Sequence, residues 1–205
     1  MGLGESKLSF LGYTLEQVPE GKMPRWAVLG RSNVGKSSFL NALVHPRKHF
    51  HTSAQPGKTR SLVGVEVVLG RAKEARLELI DLPGYGFAKG AKEAERDLWL
   101  ALADTLRERS REKSLHWIWL ADPLRVPAAE EFEVAKWLRR EPYSLVFTKS
   151  DQVSKGKRAS VEKAWGALIE TSTEKPFWVS SLKGEGLDAV QASARAYVRA
   201  CAEGL

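Results

Sequence analysis

A glycine-rich loop after the first strongly apolar run constrains the fold of this chain more than any other feature. The run Trp26–Leu29 leads into the residues GRSNVGKS at 30–37, which match the phosphate-loop pattern GxxxxGK[ST]. Glycines allow successive backbone N–H groups to converge on phosphate oxygens, and the following helix adds the positive end of its dipole. The pattern therefore predicts a nucleoside triphosphate site at a strand–loop–helix junction. The candidate phosphate-binding residues are Gly30, Arg31, Ser32, Asn33, Val34, Gly35, Lys36, Ser37 and Ser38.

Short apolar runs alternate with helix-like segments along the whole chain. The predicted strands are 26–29, 62–69, 77–80, 115–120, 145–148 and 177–179, and the predicted helices are 36–44, 91–109, 128–140, 158–170 and 187–200. Such alternation is typical of a doubly wound α/β sheet with helices on both faces. The turn between 62–69 and 77–80 is too short for a crossover helix, so these two strands should form an antiparallel hairpin. We expect a single P-loop domain with a six-stranded, mostly parallel sheet and one antiparallel strand.

Length and composition narrow the class further. The 205 residues fit one domain, and we assign 1–22 to an N-terminal leader and 23–205 to the domain. The single cysteine, Cys201, cannot form an internal disulfide and suits a reducing compartment, so we expect a cytoplasmic protein. No apolar run approaches the length that spans a bilayer, and no stable membrane association is expected. The net charge of +7 predicts an anionic partner without identifying it.

A second phosphate and metal element follows the predicted strand 77–80. Its residues are Asp81, Leu82, Pro83 and Gly84, the DxxG pattern of nucleotide switches. We expect Asp81 to hold Mg²⁺ through water, together with the Ser37 hydroxyl, while Lys36 contacts the β- and γ-phosphates. The backbone N–H of Gly84 would contact the γ-phosphate, which lets the following loop sense hydrolysis.

A third element indicates guanine rather than adenine. Thr148, Lys149, Ser150 and Asp151 match [NT]KxD after the predicted strand 145–148. A carboxylate at Asp151 can accept hydrogen bonds from guanine N1–H and the 2-amino group, a pair of donors that adenine lacks. The aliphatic part of Lys149 would cover the base. After the last strand, Val179, Ser180 and Ser181 could offer a backbone N–H to guanine O6.

These motifs occur in the order found in translation-factor-type GTPases, and the chain resembles the EngB family of bacterial ribosome-biogenesis GTPases. The resemblance rests on GRSNVGKSSFLNAL at 30–43, QPGKTRS at 55–61, DLPGYGFAK at 81–89, TKSD at 148–151 and VSSLKGEG at 179–186. It implies binding of GTP and GDP, Mg²⁺-dependent GTP hydrolysis coupled to assembly of the large ribosomal subunit, and a link to cell division and septation. It also implies a monomer whose partners are the subunit precursor and its rRNA. The segment 122–125 reads DPLR where the family has Asp-x-Arg-His, which leaves partner details open.

The segment 55–60 supplies the candidate switch threonine. We expect Thr59 to join the Mg²⁺ shell when GTP is bound, with Pro56, Gly57 and Lys58 as its neighbours in the nucleotide loop; Thr52 is the alternative. Lys36, Thr59 and Gly84 are thus the candidate catalytic residues.

The position after DxxG holds Tyr85 instead of the glutamine that orients water in many GTPases. Slow hydrolysis by the chain alone is therefore expected. Related GTPases with asparagine at the position of Asn33 use it to bind K⁺, and we hypothesise that K⁺ completes the site here; a group from the partner is the alternative. Arg31 is also close by, but we expect it to be a solvent-facing or structural residue.

Basic residues cluster at 107–113, 139–140 and 155–158, and at least one cluster is expected to contact rRNA. Two other functions stay open on the sequence alone: a P-loop ATPase or kinase, and a GTP-gated scaffold for a protein or membrane partner.

Overall fold

The computed structural model describes residues 2–12, 15–44, 50, 62–69, 75–85, 92–110 and 114–204. The strands are β1 (Ser6–Gly12), β2 (Arg25–Gly30), β3 (Leu62–Val68), β4 (Arg76–Asp81), β5 (Leu115–Ala121), β6 (Tyr143–Phe147) and β7 (Phe177–Trp178). The α-helices are α1 (Lys36–Leu43), α2 (Lys92–Glu108), α3 (Ala129–Leu138), α4 (Lys155–Ala164), α5 (Gly166–Ile169) and α6 (Leu187–Glu203). No helix within these residues is long and apolar enough to cross a bilayer.

All the described strands join one mixed sheet in the order β1-β3-β4-β2-β5-β6-β7. β2 pairs in parallel with β4 and β5, and β6 pairs in parallel with β5 and β7. β3 runs antiparallel to both of its neighbours, β1 and β4. The α/β class and the antiparallel hairpin are confirmed. The carboxyl ends of β2, β4, β5 and β6 meet at one edge, where ligands bind in sheets of this kind.

The sheet has seven strands, one more than expected, because β1 lies within the segment assigned to a leader. The buried side chain of Leu3 and a hydrogen bond from its N–H to the Leu43 carbonyl anchor the start of this segment. Lys7 then pairs with Glu66 of β3 at 3.2 Å. β1 is an edge strand whose Leu8 is 53% exposed, so it lacks the continuous apolar run that marks the central strands. The predicted helix 158–170 also differs, because it is divided into α4 and α5 at the buried Trp165.

The helices cover the sheet on both faces, and each face has its own apolar core. Buried residues of α1 and α6 pack on one face, and those of α2, α3 and α5 pack on the other. The second core is rich in tryptophan: Trp119 packs edge to face against Trp165, and Trp117 packs edge to face against Trp137. Such large aromatic side chains fix the helices firmly on the strands that carry the site.

A buried arginine ties the N-terminal segment to the end of α2. Arg25, at the start of β2, donates from Nε to Glu78 at 2.8 Å and from Nη2 to the Pro19 carbonyl at 2.7 Å. Its Nη1 donates to the Arg109 carbonyl at 3.1 Å. The charge of Arg25 is thus paired and its donors are used. Because β2 starts at Arg25 and ends at Gly30, this network lies at the opposite edge of the sheet from the phosphate loop.

Candidate functional site

The phosphate loop runs from the end of β2 to the start of α1. Gly35 has a φ of 106° and Asn33 a φ of 65°, left-handed conformations that glycine and asparagine tolerate best. A Cβ at Gly30 would lie 2.8 Å from Val34 Cγ1 and 2.9 Å from the Leu120 carbonyl oxygen, so only glycine fits there. The sequence GRSNVGKS therefore folds into the tight loop that its pattern predicts.

Lys36, Ser37 and Asp81 lie together where the phosphate loop meets the end of β4. Lys36 Nζ donates to the Gly30 carbonyl at 3.3 Å, and Ser37 Oγ donates to Asp81 Oδ2 at 3.0 Å. Burial raises the pKa of Asp81 to about 6, although Lys36 and the Ser37 hydrogen bond act in the opposite direction. Burial lowers the pKa of Lys36, and the Asp81 carboxylate partly opposes that shift. The two charged groups thus stabilise each other in a site from which water is largely excluded.

The same group of residues fits a magnesium ion. Among the described residues, Asp81 Oδ1 is buried and has no hydrogen-bond partner. Carboxylate and hydroxyl oxygens are the donors that Mg²⁺ prefers, and Asp81 and Ser37 present both. The third expected ligand, Thr59, lies outside the described residues, as do Pro56, Gly57, Lys58 and Thr52.

The DxxG segment packs directly against the phosphate loop. Tyr85 N–H donates to the Gly30 carbonyl at 3.2 Å, and Ser32 N–H donates to the Tyr85 carbonyl at 2.9 Å. A Cβ at Gly84 would lie 2.8 Å from Lys36 Nζ and 3.0 Å from the backbone of Ser32. Leu82 and Pro83 are buried between Asp81 and Gly84. Gly84 is therefore held beside the lysine that was expected to contact the γ-phosphate.

Tyr85 points into the core and away from this loop. Its side chain is buried, its hydroxyl accepts a hydrogen bond from Trp119 Nε1 at 2.7 Å, and its ring packs edge to face against Trp99. Burial also raises the pKa of its hydroxyl above the ordinary range. In this conformation, a neutral phenol bonded to Trp119 cannot orient a water molecule at the phosphates. The hydrogen bond to Trp119 has no local signal in the sequence, because it joins two separate strand ends.

Arg31 is directed away from the phosphates as well. Its Nη1 lies 3.6 Å from Glu130 and 3.7 Å from Glu131, both at the start of α3. These pairs agree with the structural role expected from the sequence. Of the other loop residues, Asn33 and Ser38 are exposed and Val34 is buried.

The guanine box is hydrogen-bonded to the phosphate loop. The buried Thr148 donates from Oγ1 to the Val34 carbonyl at 2.8 Å and contacts the Ala121 carbonyl at 3.2 Å. Lys149 has a φ of 52°, and its Nζ donates to Asp122 Oδ2 at 2.7 Å. Asp122 matches the first position of the family pattern at 122–125, but the sequence alone assigns it no role. Its position directly after β5, at the ligand-binding edge, is the signal that could have marked it.

Ser180 holds Asp151 through its side chain rather than only its backbone. A hydrogen bond from the Ser180 hydroxyl lowers the pKa of Asp151, and the nearby charge of Lys183 acts in the same direction. Ser180 Oγ in turn accepts a hydrogen bond from Lys183 N–H at 3.1 Å. Val179 accepts a hydrogen bond from Ser150 N–H at 3.1 Å, which joins the two base-side segments. Ser181 is half-buried beside them. These contacts favour the ionised form of the Asp151 carboxylate and join it to the segment that follows β7.

A glycine-rich loop before a helix, a buried carboxylate beside its lysine and an ionised guanine-box aspartate define a P-loop GTPase. The model of the 50S ribosome-binding GTPase family matches residues 25–149. A probable GTP-binding protein EngB from Shouchella clausii is 34% identical over 192 residues, which cover 92% of this chain and 93% of that protein. A relative of the same name from Lactiplantibacillus plantarum is 36% identical and covers 85% of this chain and 86% of its own length. The chain belongs to the EngB family of GTP-binding proteins and is a GTP hydrolase.

Solved structures agree on the fold. The crystal structure of a probable GTP-binding protein EngB has a TM-score of 0.65 at 19% identity and covers 85% of this chain and 98% of its own. Aquifex aeolicus Era bound to GDP and AlF₄⁻ has a TM-score of 0.67 at 22% identity, over 86% of this chain and 57% of its own.

Proposed function

We propose that the chain is a GTP-gated switch that acts in the bacterial cytoplasm on a precursor of the large ribosomal subunit and contacts its rRNA. This proposal rests mainly on the two backbone hydrogen bonds that join Tyr85 to the phosphate loop residues Gly30 and Ser32. Because Gly84 lies beside Lys36, a change at the γ-phosphate would act directly on the segment that leads towards α2. The description of its family as 50S ribosome-binding supports the choice of particle. Any effect on cell division and septation would follow from this assembly step.

We assign the roles within this switch to the residues that the sequence marked. Lys36 and the backbone of residues 30–38 bind the phosphates, and Ser37 and Asp81 hold Mg²⁺, joined by Thr59 when GTP is bound. Mg²⁺, when bound, neutralises charge on the β- and γ-phosphates. Gly84 senses the γ-phosphate through its N–H, and Asp151 selects guanine. Asp151 is oriented by Ser180.

Hydrolysis in this proposal needs a further group at the phosphates, which neither Tyr85 nor Arg31 supplies within the described part of the chain. Tyr85 and Arg31 are engaged with Trp119 and with the α3 glutamates. The exposed carboxamide of Asn33 could hold K⁺ there, or the ribosomal particle could supply the group.

One hydrolysis assay tests whether K⁺ or the ribosomal particle supplies the missing group. GTP turnover is measured in KCl and in NaCl, with purified large subunits, with small subunits, or with neither. We expect slow turnover by the chain alone and a rise of about tenfold or more with large subunits only. Equal rates with both subunits would contradict the proposed partner. A KCl rate above the NaCl rate that Asn33→Gly abolishes would assign K⁺ to Asn33, since glycine keeps the left-handed backbone; equal rates in the two salts would exclude that role.

A further inference from the structure

Helix α4 turns an uncompensated lysine surface to solvent. None of its ten residues is fully buried, and its outward side chains include Lys155, Lys157 and Lys163. The other exposed residues of α4 are small: Gly156, Ala159, Ser160 and Ala164. We call the outward surface that carries Lys155, Lys157 and Lys163 the α4 lysine face; Lys155 and Lys157 lie at its two margins, and Lys163 lies between them around the helix. Long cationic side chains separated by small ones leave room for an extended polyanion to approach the helix.

The other charged residues of α4 are turned towards the sheet. Glu162 accepts a hydrogen bond from Trp178 Nε1 at 2.8 Å, and the Arg158 guanidinium lies 4.8 Å from the centre of the Trp178 ring. Within the part of the chain that the structure describes, no carboxylate lies within 4.0 Å of the three lysines of the face. None of the described carboxylates therefore neutralises these lysines.

The other two basic clusters are less suited to an external partner. Arg107 pairs with Asp104 at 3.3 Å and with Glu141 at 3.5 Å, and Arg109 donates to the Glu16 and Val18 carbonyls. Residues 111–113 lie outside the described ranges. Arg139 and Arg140 are exposed, but they are only two adjacent cations at the end of α3, fewer than the three lysines of α4.

The chemistry of the face favours a phosphate backbone over a protein or a lipid surface. Protein interfaces are anchored by aromatic and apolar side chains and are depleted in lysine, and a helix that lies on a membrane needs an outward apolar side. The α4 lysine face has neither feature. Protein surfaces that bind nucleic acids are polar and strongly positive, and their lysines displace the counterions that are condensed around the phosphates. We propose that the α4 lysine face binds the phosphate backbone of RNA, a step that rests on the proposed function for the choice of polyanion.

The position of α4 makes this contact insensitive to the γ-phosphate. The helix begins just after the guanine box. Its Glu162 and Arg158 side chains contact Trp178 of β7, on the base side of the site, and Val161 packs on the second core, while the three lysines face solvent. Gly84 and Tyr85 instead contact the phosphate loop, Trp99 and Trp119. RNA affinity through α4 should thus be the same in the GDP and GTP states, within about twofold.

The test compares two triple variants with equal net charge. One carries Lys155→Glu, Lys157→Glu and Lys163→Glu; the control carries Lys22→Glu, Arg96→Glu and Arg199→Glu, which are exposed basic residues outside α4. Fluorescence anisotropy of a labelled hairpin RNA is followed across about 50 to 200 mM KCl. We expect the α4 variant to bind at least tenfold more weakly, with a salt slope shallower by about 2 to 3, since each lost phosphate contact removes slightly less than one. The control should change much less.

Equal losses of RNA affinity in the two variants would overturn the inference, because the total charge of the protein, rather than the position of the lysines, would then explain the binding. A polyglutamate competitor that displaces the RNA from the wild type at matched charge would overturn it in favour of an acidic protein. Binding of fluorescent GDP, measured on every variant, verifies the fold. If the α4 variant binds RNA normally while large subunits still stimulate hydrolysis, this inference fails and the proposed function stands. If the face binds RNA but large subunits have no effect, the proposed function fails alone.

Discussion

In the proposed site, Asp151 sets the choice of purine because its carboxylate can accept hydrogen bonds from two adjacent N–H donors of the base. The Ser180 hydroxyl donates a hydrogen bond to this carboxylate and lowers its pKa. In Asp151→Asn, the amide group presents a donor to guanine and should weaken GDP binding by about a hundredfold or more. Xanthosine diphosphate, which carries a second carbonyl in place of the 2-amino group, should gain affinity. Calorimetric titration of both nucleotides checks this.

The matched control for this change is Asp97→Asn, whose side chain is 68% exposed on α2 and pairs only with the exposed Arg96. The control should bind GDP as the wild type does. An unaltered preference for guanine in Asp151→Asn would show that the base lies elsewhere.

Tyr85 is a structural residue in this account. Tyr85→Phe removes the acceptor of the 2.7 Å hydrogen bond from Trp119 and leaves a buried N–H without a partner. We expect the free energy of unfolding to fall by about 1–3 kcal/mol and the rate of GTP hydrolysis to stay within about twofold. Trp119→Phe should cost a similar amount, and the double variant should cost less than the sum of the two. A large loss of turnover with unchanged stability would instead place the phenol at the phosphates.

For single residues, local sequence patterns predict the parts of the candidate site whose positions are set by the backbone. Residues 30–37 form a tight loop, and Ser37 meets Asp81, because a strand–loop–helix junction and the end of the neighbouring strand share one sheet edge. The side-chain partners were not predictable. Ser180 bonds to Asp151 and Lys149 to Asp122 across loops whose approach depends on how four strands align.

At the scale of elements, the loop between β7 and α6 places Ser180 and Lys183 against the guanine box, and its glycines can be compared in pairs. Gly184 and Gly186 both have a φ of 73°. A Cβ at Gly186 would lie 2.0 Å from the Trp178 carbonyl oxygen, whereas nothing lies within 4 Å of one at Gly184.

The two substitutions should therefore differ although the backbone strain is the same. Gly184→Ala carries only the cost of a left-handed alanine, about 1 kcal/mol, and should leave GDP affinity nearly unchanged. Gly186→Ala must also displace the backbone near β7, so GDP affinity should fall by about tenfold or more. Thermal unfolding with and without GDP measures both effects. Equal effects of the two variants would mean that the collision, and with it the placement of this loop, is wrong.

β5 buries a histidine whose protonation opposes folding. His116 Nε2 lies 2.8 Å from Ser144 Oγ, and the rings of Trp26 and Tyr197 pack beside the imidazole. Burial lowers the pKa of His116 to about 4. Below pH 6.5 the unfolded chain binds a proton that the folded chain resists, so stability is lost as the pH falls from about 6.5 to about 4. Glu174, which accepts a hydrogen bond from Ser144 at 2.6 Å, is the nearby carboxylate that would moderate this loss.

We expect the titration of His116 to lower the free energy of unfolding by about 2 kcal/mol between pH 7 and pH 5. His116→Gln should remove that part of the pH dependence, while the remaining slope reports the carboxylates. Denaturant unfolding at the two pH values measures the difference. Parallel pH profiles of the variant and the wild type would contradict the lowered pKa.

Central strands were easier to predict than edge elements. β2, β4, β5 and β6 are rich in buried apolar residues because both of their faces are covered. β1 carries serine and lysine among its leucines, and its pairing with β3 depends on long-range docking of the segment around Leu3. The division between α4 and α5 depends on Trp165, whose indole N–H donates to the Arg125 carbonyl at 3.2 Å, a partner that helical periodicity does not reveal.

In the whole molecule, the candidate nucleotide site and the Arg25 network lie at opposite edges of the sheet of a single domain. The phosphate loop, Gly84 and the guanine box meet at the carboxyl edge, and the Arg25 network closes the opposite edge. The α4 lysine face stands beside the guanine box. The charge of +7 by itself fits many anionic partners; in our proposal, part of it forms the RNA-binding surface on α4, while the proposed γ-phosphate sensor, Gly84, lies beside the phosphate loop. RNA contact and nucleotide gating can then contribute independently to the affinity for a ribosomal particle.

The most direct test of a guanine-gated switch is sedimentation of the chain with purified large ribosomal subunits in the presence of a non-hydrolysable GTP analogue, GDP or the matching ATP analogue. We predict binding with the GTP analogue, about tenfold less with GDP, and no more with the ATP analogue than without nucleotide. In Asp151→Asn, the xanthosine analogue should replace the GTP analogue. Equal sedimentation in every nucleotide state, or a response to the ATP analogue, would contradict the account.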